Sequence, residues 1–516
     1  MKKSTQKLKK ITRVLFGRTA FVIIAILMQF AFFFILINWL YRYSVLIHLL
    51  FVLLGMFVVI HIFNEDTNSA FKMAWIIPVL IIPIFGTMIY VFVNLQLGTK
   101  IMRSRLASID KQLHEKAKTS DAVLEKLESE LHGERGLASY LHNAGDFPAY
   151  YDNDIEFFPL GEFKFEEMKK QLMAAEKFIF MEYFIIEEGI MFNSILSILE
   201  EKVKQGVEVR IMYDDMGSLG TLPASYAKQL EKKGIKAVSF NRISPIINTI
   251  MNHRDHRKIL VIDGKVAFSG GANLADEYIN KKVKYGHWMD NIICVRGKAV
   301  WSYLVMFLTN WNALRHEDED YTVFKNSKIV DETSFDGYIA PYAETPLDQE
   351  LTGQSVYEDL LNSANEYVYI MTPYLIIDSE MINTLIHTAK KGVDVRIIMP
   401  GIADKQIIHD MGTTYYAQLI QGGVKIYEYG PGFVHSKVFI SDDTYATVGT
   451  INLDYRSLYL HFENGTLLYK SKKILDVKQN FMDTLSKCKE IQIEDTHVNI
   501  VKGLFLSIIR IFSPLL

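Results

Sequence analysis

His256 and Lys258 stand two residues apart, and so do His435 and Lys437; an aspartate follows each lysine five residues later, Asp263 and Asp442. The apolar run Ile259 to Ile262, ending at Asp263-Gly264, reads as a buried strand closed by a turn, and the second copy repeats it. Residues two apart on a strand face the same way, so each histidine projects with its lysine. Asp263 and Asp442 have the opposite parity and sit at the turn, which suits a structural or orienting part in the set His256, Lys258, Asp263, His435, Lys437 and Asp442. Such groups fit phosphodiester chemistry. Lysines neutralise the oxygens of an anionic phosphodiester that would repel an anionic nucleophile. A neutral imidazole can attack phosphorus and form a covalent intermediate. A second imidazole can protonate the leaving alkoxide and later take a proton from the acceptor alcohol. That chemistry needs neither metal nor other cofactor.

Small residues follow each strand: Gly270, Gly271 and Asn273, then Gly449, Thr450 and Asn452. They let backbone and amide groups approach an anion closely. The elements that position these groups are duplicated. KQGVEVRIMYDD (Lys204–Asp215) answers KKGVDVRIIMPG (Lys390–Gly401), and AEKFIFMEYFII from Ala175 answers ANEYVYIMTPYLII from Ala364. The histidines are 435 − 256 = 179 apart, and Gly206 and Gly392 are 392 − 206 = 186 apart. Helix, glycine stop and β-branched strand recur in the same order, which predicts two α/β domains with parallel or mixed sheets. His253, His287 and His461 fall outside the motif spacing and suit supporting positions; Tyr183 and Tyr374 suit the core.

The chain has 516 residues and a net charge of −3, so it lacks the basic footprint of a nucleic-acid binder. Cys294 and Cys488 are far apart and read as two reduced thiols rather than a disulfide framework. Thr19 to Leu40 carries no charge, and Val45 to Phe63 is interrupted only by His48 and His61; both are predicted to span a membrane. The third run, Ala74 to Val93, contains Pro78, Pro83 and Gly86 and suits a re-entrant or interfacial segment. Lys2, Lys3, Lys7, Lys9, Lys10, Arg13 and Arg18 before the runs, and Lys100, Arg103 and Arg105 after them, place both flanks in the cytoplasm. The expected organisation is a membrane segment (1–100), a charged helical linker (101–136) and two catalytic domains (137–330 and 331–516), the second ending in an apolar tail. That tail, GLFLSIIRIFSPLL, suits either the membrane interface or packing on the catalytic domains.

The two motifs resemble the HKD motifs of the phospholipase D superfamily. GGANLADEY, GTINLDYRS, MYDDMGS, GHWMDN, HFEN, the broken run AWIIPVLIIPIFGTMIY and the ending SPLL are similar to blocks of bacterial cardiolipin synthases. The resemblance implies transmembrane helices followed by two phospholipase-D-type α/β domains related by a pseudo-twofold axis, in a multi-pass protein of the cell membrane. It implies transfer of a phosphatidyl group between two phosphatidylglycerol molecules, giving cardiolipin and glycerol. It further implies His256 as nucleophile, His435 as general acid and base, and Lys258, Lys437, Asn273 and Asn452 as holders of the phosphate. Asp290 and Glu463 would orient the imidazoles. The partners are then phosphatidylglycerol, cardiolipin and the lipid bilayer, with no nucleic acid and an oligomer possible. A phospholipase D hydrolase, or a transferase with another donor or acceptor alcohol, would carry the same motifs. A nucleic-acid phosphodiesterase and an inactive membrane scaffold fit the sequence less well.

Overall fold

The computed structural model describes residues 45–94, 136–151, 153–243, 252–317, 319–325, 337–348 and 350–515, with scattered positions between 27 and 38. The run Thr19–Leu40 is thus described only at scattered positions, and of the linker 101–136 only residue 136 is described.

One unit gathers the N-terminal helices and the C-terminal tail. Helix α1 (Val45–Asn64) covers the second apolar run. The third run is two short helices, α2 (Ser69–Ile81) and α3 (Pro83–Asn94), separated at Ile82 where Pro83 cannot continue the ladder. Each spans about 20 Å or less, against a hydrocarbon core of about 30 Å. Among residues whose side chains are described, no helix is long and apolar enough to cross a membrane. Instead α1 exposes Leu50, Phe57, Ile60 and Phe63, and the tail helix Ile500–Ile511 exposes Ile500, Val501, Leu504 and Phe505 while burying Leu506. The tail helix contacts α2. The tail therefore groups with the N-terminal helices rather than with the second catalytic domain.

The second unit holds the duplicated α/β region. Its first half has strands β1 (Asn153–Phe158), β2 (Phe178–Tyr183), β3 (Glu208–Asp214), β4 (Lys236–Phe240), β5 (Ile259–Ile262), β6 (Val266–Gly270), β7 (His287–Met289) and β8 (Ile292–Gly297). Seven of them form a sheet in the order β1-β8-β6-β5-β2-β3-β4, parallel across β2, β3 and β4 and antiparallel elsewhere. The second half has β9 (Tyr338–Glu344), β10 (Tyr367–Met371), β11 (Leu375–Ile376), β12 (Asp394–Pro400), β13 (Lys425–Tyr429), β14 (Gly432–Val434), β15 (Val438–Ser441), β16 (Tyr445–Gly449), β17 (Leu453–Asp454), β18 (Glu463–Tyr469) and β19 (Cys488–Glu490). Its sheet order, β19-β13-β12-β10-β15-β16-β18-β9, repeats the first with one added edge strand. The duplicated α/β architecture is present, with mixed sheets.

Helices α4 (Gly161–Ala174) and α5 (Ile190–Lys204) bury Phe165, Met168, Leu172, Phe192, Ile195 and Leu199 against one face of the first sheet. Each such side chain contributes about 1.5–3 kcal/mol when fully buried. Helix α6 (Val300–Arg315) is apolar around most of its circumference, as a helix enclosed on all sides requires. It touches β2, β4 and β5 of the first sheet and β9 of the second, and Tyr303 shares a 2.6 Å hydrogen bond with Thr466. In the second half α7 (Thr352–Ser363) takes the place of α4.

The aspartates of the two motifs hold the sheets. Asp263, left-handed at φ 53°, accepts the backbone N–H groups of Glu176, Lys177 and Phe178 at 2.8, 2.7 and 2.8 Å, fixing the start of β2. Asp442, at φ 52°, accepts those of Asn365, Glu366 and Tyr367 at 2.7, 3.0 and 2.8 Å, fixing the start of β10. Both carboxylates are thus engaged by backbone donors, Oδ1 of each accepting two N–H groups and Oδ2 one, which is a structural place. Asp263→Ala leaves three amides without acceptors and is expected to lose about 2–4 kcal/mol of stability. Denaturant titration checks this, with the distribution of lipid products unchanged in the protein that remains folded.

Candidate active site

Lys258 immediately precedes β5 and Lys437 immediately precedes β15, so each His-Lys pair enters its sheet on the strand where the antiparallel part meets the parallel one. All four side chains are buried. Each lysine ammonium donates to the backbone carbonyl of its own histidine, Lys258 to His256 and Lys437 to His435.

The acids that orient the imidazoles come from the opposite half. His256 Nδ1 lies 2.8 Å from Glu463 Oε1, and His435 Nδ1 lies 2.7 Å from Asp290 Oδ2. The backbone explains the crossing. Strand β14, leading to His435, pairs in parallel with β7, leading to Asp290, in the register Gly432↔His287, Phe433↔Trp288 and Val434↔Met289. The His435 N–H then donates to Met289 O at 2.7 Å. Correspondingly, Asp255 bridges Phe462 and the His256 N–H donates to Phe462 O at 2.9 Å. Gly432 permits the approach, since a Cβ there would lie 2.2 Å from the His287 carbonyl oxygen. Gly271, in the segment after the first motif, makes room for Asp290, whose Oδ1 would lie 1.9 Å from a Cβ at that position.

A carboxylate can only accept, so the proton of His256 sits on Nδ1 and Nε2 keeps its lone pair. Burial pulls the His256 pKa down to about 3, against the opposing pull of Glu463, so the imidazole is neutral. Glu463 lies below the ordinary carboxylate range: burial opposes ionisation, but the contacts to His256 and His461 and the Lys258 charge outweigh it. Thr450 Oγ1 adds a 2.5 Å donor to Glu463 Oε2. The second dyad differs. Burial raises Asp290 to about 7 despite Lys437 and Lys258, and burial with those same lysines holds His435 well below its usual pKa. Burial likewise lowers Lys258 to about 7 and Lys437 to about 8. The two dyads are alike in shape and unlike in charge.

The remaining expected residues separate. Asn273 pins a loop: its Oδ1 accepts from Ile185 N–H at 2.9 Å, and Nδ2 gives one of its two hydrogens to Tyr278 Oη at 2.8 Å. Asn452 is buried with its Oδ1 unpartnered among the described residues. His287 meets Tyr429 Oη at 3.2 Å, and Tyr374 donates to Asp404 at 2.7 Å. His461 has its ring centroid 5.8 Å from that of His256, where Trp288 flanks His435 at 5.3 Å in the other half. His256, His461 and Glu463 bring three possible ligand atoms within 4.8 Å of one another. A cation there would compete with the hydrogen bond between His256 and Glu463. Sequence spacing did not single out Lys164, a buried lysine on the first turn of α4; set among Glu162, Glu166 and Glu167, it carries no local signal that it is buried.

The cardiolipin synthase, phospholipase-D-like domain model matches residues 168–299 and again 357–485, and the phospholipase D-nuclease N-terminal model matches 53–93. An uncharacterized protein of Streptococcus mutans is 47% identical over 433 residues, which is 84% of this chain and 94% of that one. A cardiolipin synthase of Halalkalibacterium halodurans is 32% identical over 459 residues, covering 88% of this chain and 89% of the relative. Among solved structures, phosphatidylserine synthase of Haemophilus influenzae superposes with a TM-score of 0.54 at 16% identity, over 74% of this chain and 100% of its own, a likeness of fold. With two domain matches, a shared N-terminal module and a relative aligned almost end to end, the chain belongs to the bacterial cardiolipin synthases of the phospholipase D superfamily.

Proposed function

We propose that the chain transfers a phosphatidyl group from one phosphatidylglycerol to another, releasing glycerol and forming cardiolipin. The observation that carries this reading is the pair of unlike, crossed dyads, His256 with Glu463 and His435 with Asp290. His256 Nε2 attacks phosphorus, the bond from phosphorus to the glycerol oxygen breaks, and the His435–Asp290 dyad supplies the proton that leaves with glycerol. The hydroxyl of the second phosphatidylglycerol then gives its proton to His435 as its oxygen attacks the phosphatidyl-histidine, and the N–P bond breaks. Lys258 and Lys437 balance the equatorial oxygens in both steps. The committed anion Glu463 suits the attacking imidazole, whereas Asp290, poised near neutrality, suits the dyad that gives and takes a proton. Asn452 is assigned to the phosphate through the N–H donors of its Nδ2.

The lipid substrates fit the apolar surfaces of the N-terminal unit. We assign α1 and the preceding run to membrane spans, α2 and α3 to a broken, non-crossing segment, and the catalytic unit to the cytoplasmic face, from the basic flanks. Protease added to right-side-out vesicles should leave the catalytic unit intact and should cleave it in inverted ones; cleavage from the outside would reverse the orientation.

Purified protein given phosphatidylglycerol alone should yield cardiolipin and glycerol in equal amounts. Phosphatidic acid without cardiolipin would make it a hydrolase instead. His256→Ala and His435→Ala should each lower turnover by at least about 10³-fold, and acid-quenched wild-type enzyme should carry phosphatidyl on His256. Recovery of the adduct on His435 would exchange the two roles.

The free-enzyme pH dependence has a definite sign. Asp290 and Lys258, both near 7, and Lys437, near 8, each lose a proton the first displacement uses. The kcat/KM for glycerol release should therefore fall from pH 6.5 to 9, more steeply than tenfold per unit at the upper end. A flat or rising profile over that range would contradict the assignment.

A further inference from the structure

The proposed reaction brings two phosphodiesters into one site, and the motif lysines answer only the one that reacts. The acceptor lipid carries its own phosphate, a spectator charge that enters the same poorly solvated space and is repelled unless a further cation meets it.

Lys164 is a cation without an assigned task. Its side chain is 2% exposed, its ammonium lies 5.3 Å from the Tyr183 ring, and the charge it feels most is that of Asp290. No carboxylate pairs with it among the described residues. Lys164 borders a narrow void, too tight for a water molecule in this structure, that Lys258, Tyr183, Ser269 and Gly270 also line, so the two lysines are neighbours around one packing gap. Burial lowers Lys164 to about 8, the state of an ammonium that lacks a counterion.

The fold does not require this lysine. The amides capped by Asp263 and Asp442 are related by 367 − 178 = 189 residues, and the same offset relates Lys164 to position 353, which is glycine. Gly353 donates its N–H to Glu344 at 2.7 Å, and a Cβ there would already crowd Ile451 at 2.9 Å. One half of the pseudo-twofold thus carries an ammonium at a point where the other carries no side chain and is tightly packed.

We infer that Lys164 binds the spectator phosphate of the acceptor lipid and so selects an anionic lipid over water or a neutral alcohol as acceptor. The inference rests on the phosphatidyl-transfer reading above and extends it to the choice of acceptor.

The test measures partition. Enzyme supplied with phosphatidylglycerol and ethanol divides its phosphatidyl groups between cardiolipin and phosphatidylethanol. Lys164→Met and Lys164→Gln should shift that ratio toward phosphatidylethanol by at least about tenfold, and Lys164→Arg should keep the wild-type ratio. An unchanged ratio in the Met and Gln variants overturns the inference, as does an Arg variant that partitions like Met. Loss of all lipid consumption in Met and Gln variants that melt normally also overturns it, because Lys164 would then serve the first displacement. Failure of the wild-type protein to form any cardiolipin defeats the underlying reading instead, a result that needs no variant.

Discussion

Everything in the catalytic unit is arranged around two hydrogen bonds that cross between its halves, Glu463 to His256 and Asp290 to His435. Neither half contains a complete dyad, because the acid that fixes the tautomer of each imidazole belongs to the other sheet. The crossing is enforced by backbone rather than by side chains alone. Parallel pairing of β14 with β7, and of Asp255 with Phe462, makes each histidine's own N–H the donor of a crossing hydrogen bond, to Met289 O and Phe462 O. Loss of register there would move the acid off the imidazole, since a one-residue slip turns a side chain to the opposite face.

Burial sets the electrostatics of the site. Water is excluded from two imidazoles, two ammonium groups and two carboxylates, so each charge is felt strongly by the others. Glu463 has His256, Thr450 and the Lys258 field to hold it ionised, whereas Asp290 lacks enough compensation and rises to about 7. An enzyme that must attack with one imidazole and shuttle a proton with the other gains from such inequality, because identical dyads would compete for the same role. Burial brings the lysines down to about 7 and 8, and an anion beside them would favour their charged forms.

Much of this arrangement is legible in the sequence, because part of it is local. Two-residue spacing put His256 with Lys258 and His435 with Lys437, and strand parity separated Asp263 and Asp442 from them; the carboxylates indeed cap the starts of β2 and β10. Repetition of glycine stop and β-branched strand gave two α/β halves with the same strand order. Pro83 marked the break between α2 and α3. What escaped is non-local. Asp290 and Glu463 could be matched to each other by their positions, but which histidine each would meet depends on pairing between distant strips. The bond from Ile185 N–H to Asn273 was hidden because Ile185 lies 88 residues away in the chain and nothing nearby in sequence announces it. Lys164 is hidden for the opposite reason: one lysine on an amphipathic helix reads as solvated surface until the fold buries it.

The crossed contacts have the form of an interface between two copies of one subunit, in which residue i of each meets residue j of the other. In a true homodimer both copies share one sequence, so every pair across the axis must stay identical. Joining the copies in one chain removes that constraint. Glutamate can then stand at 463 against aspartate at 290, His461 can occupy the station of Trp288, and lysine can stand at 164 while glycine stands at 353. The covalent link between the halves thereby turns a symmetric scaffold into an asymmetric one, whose two sides can diverge independently.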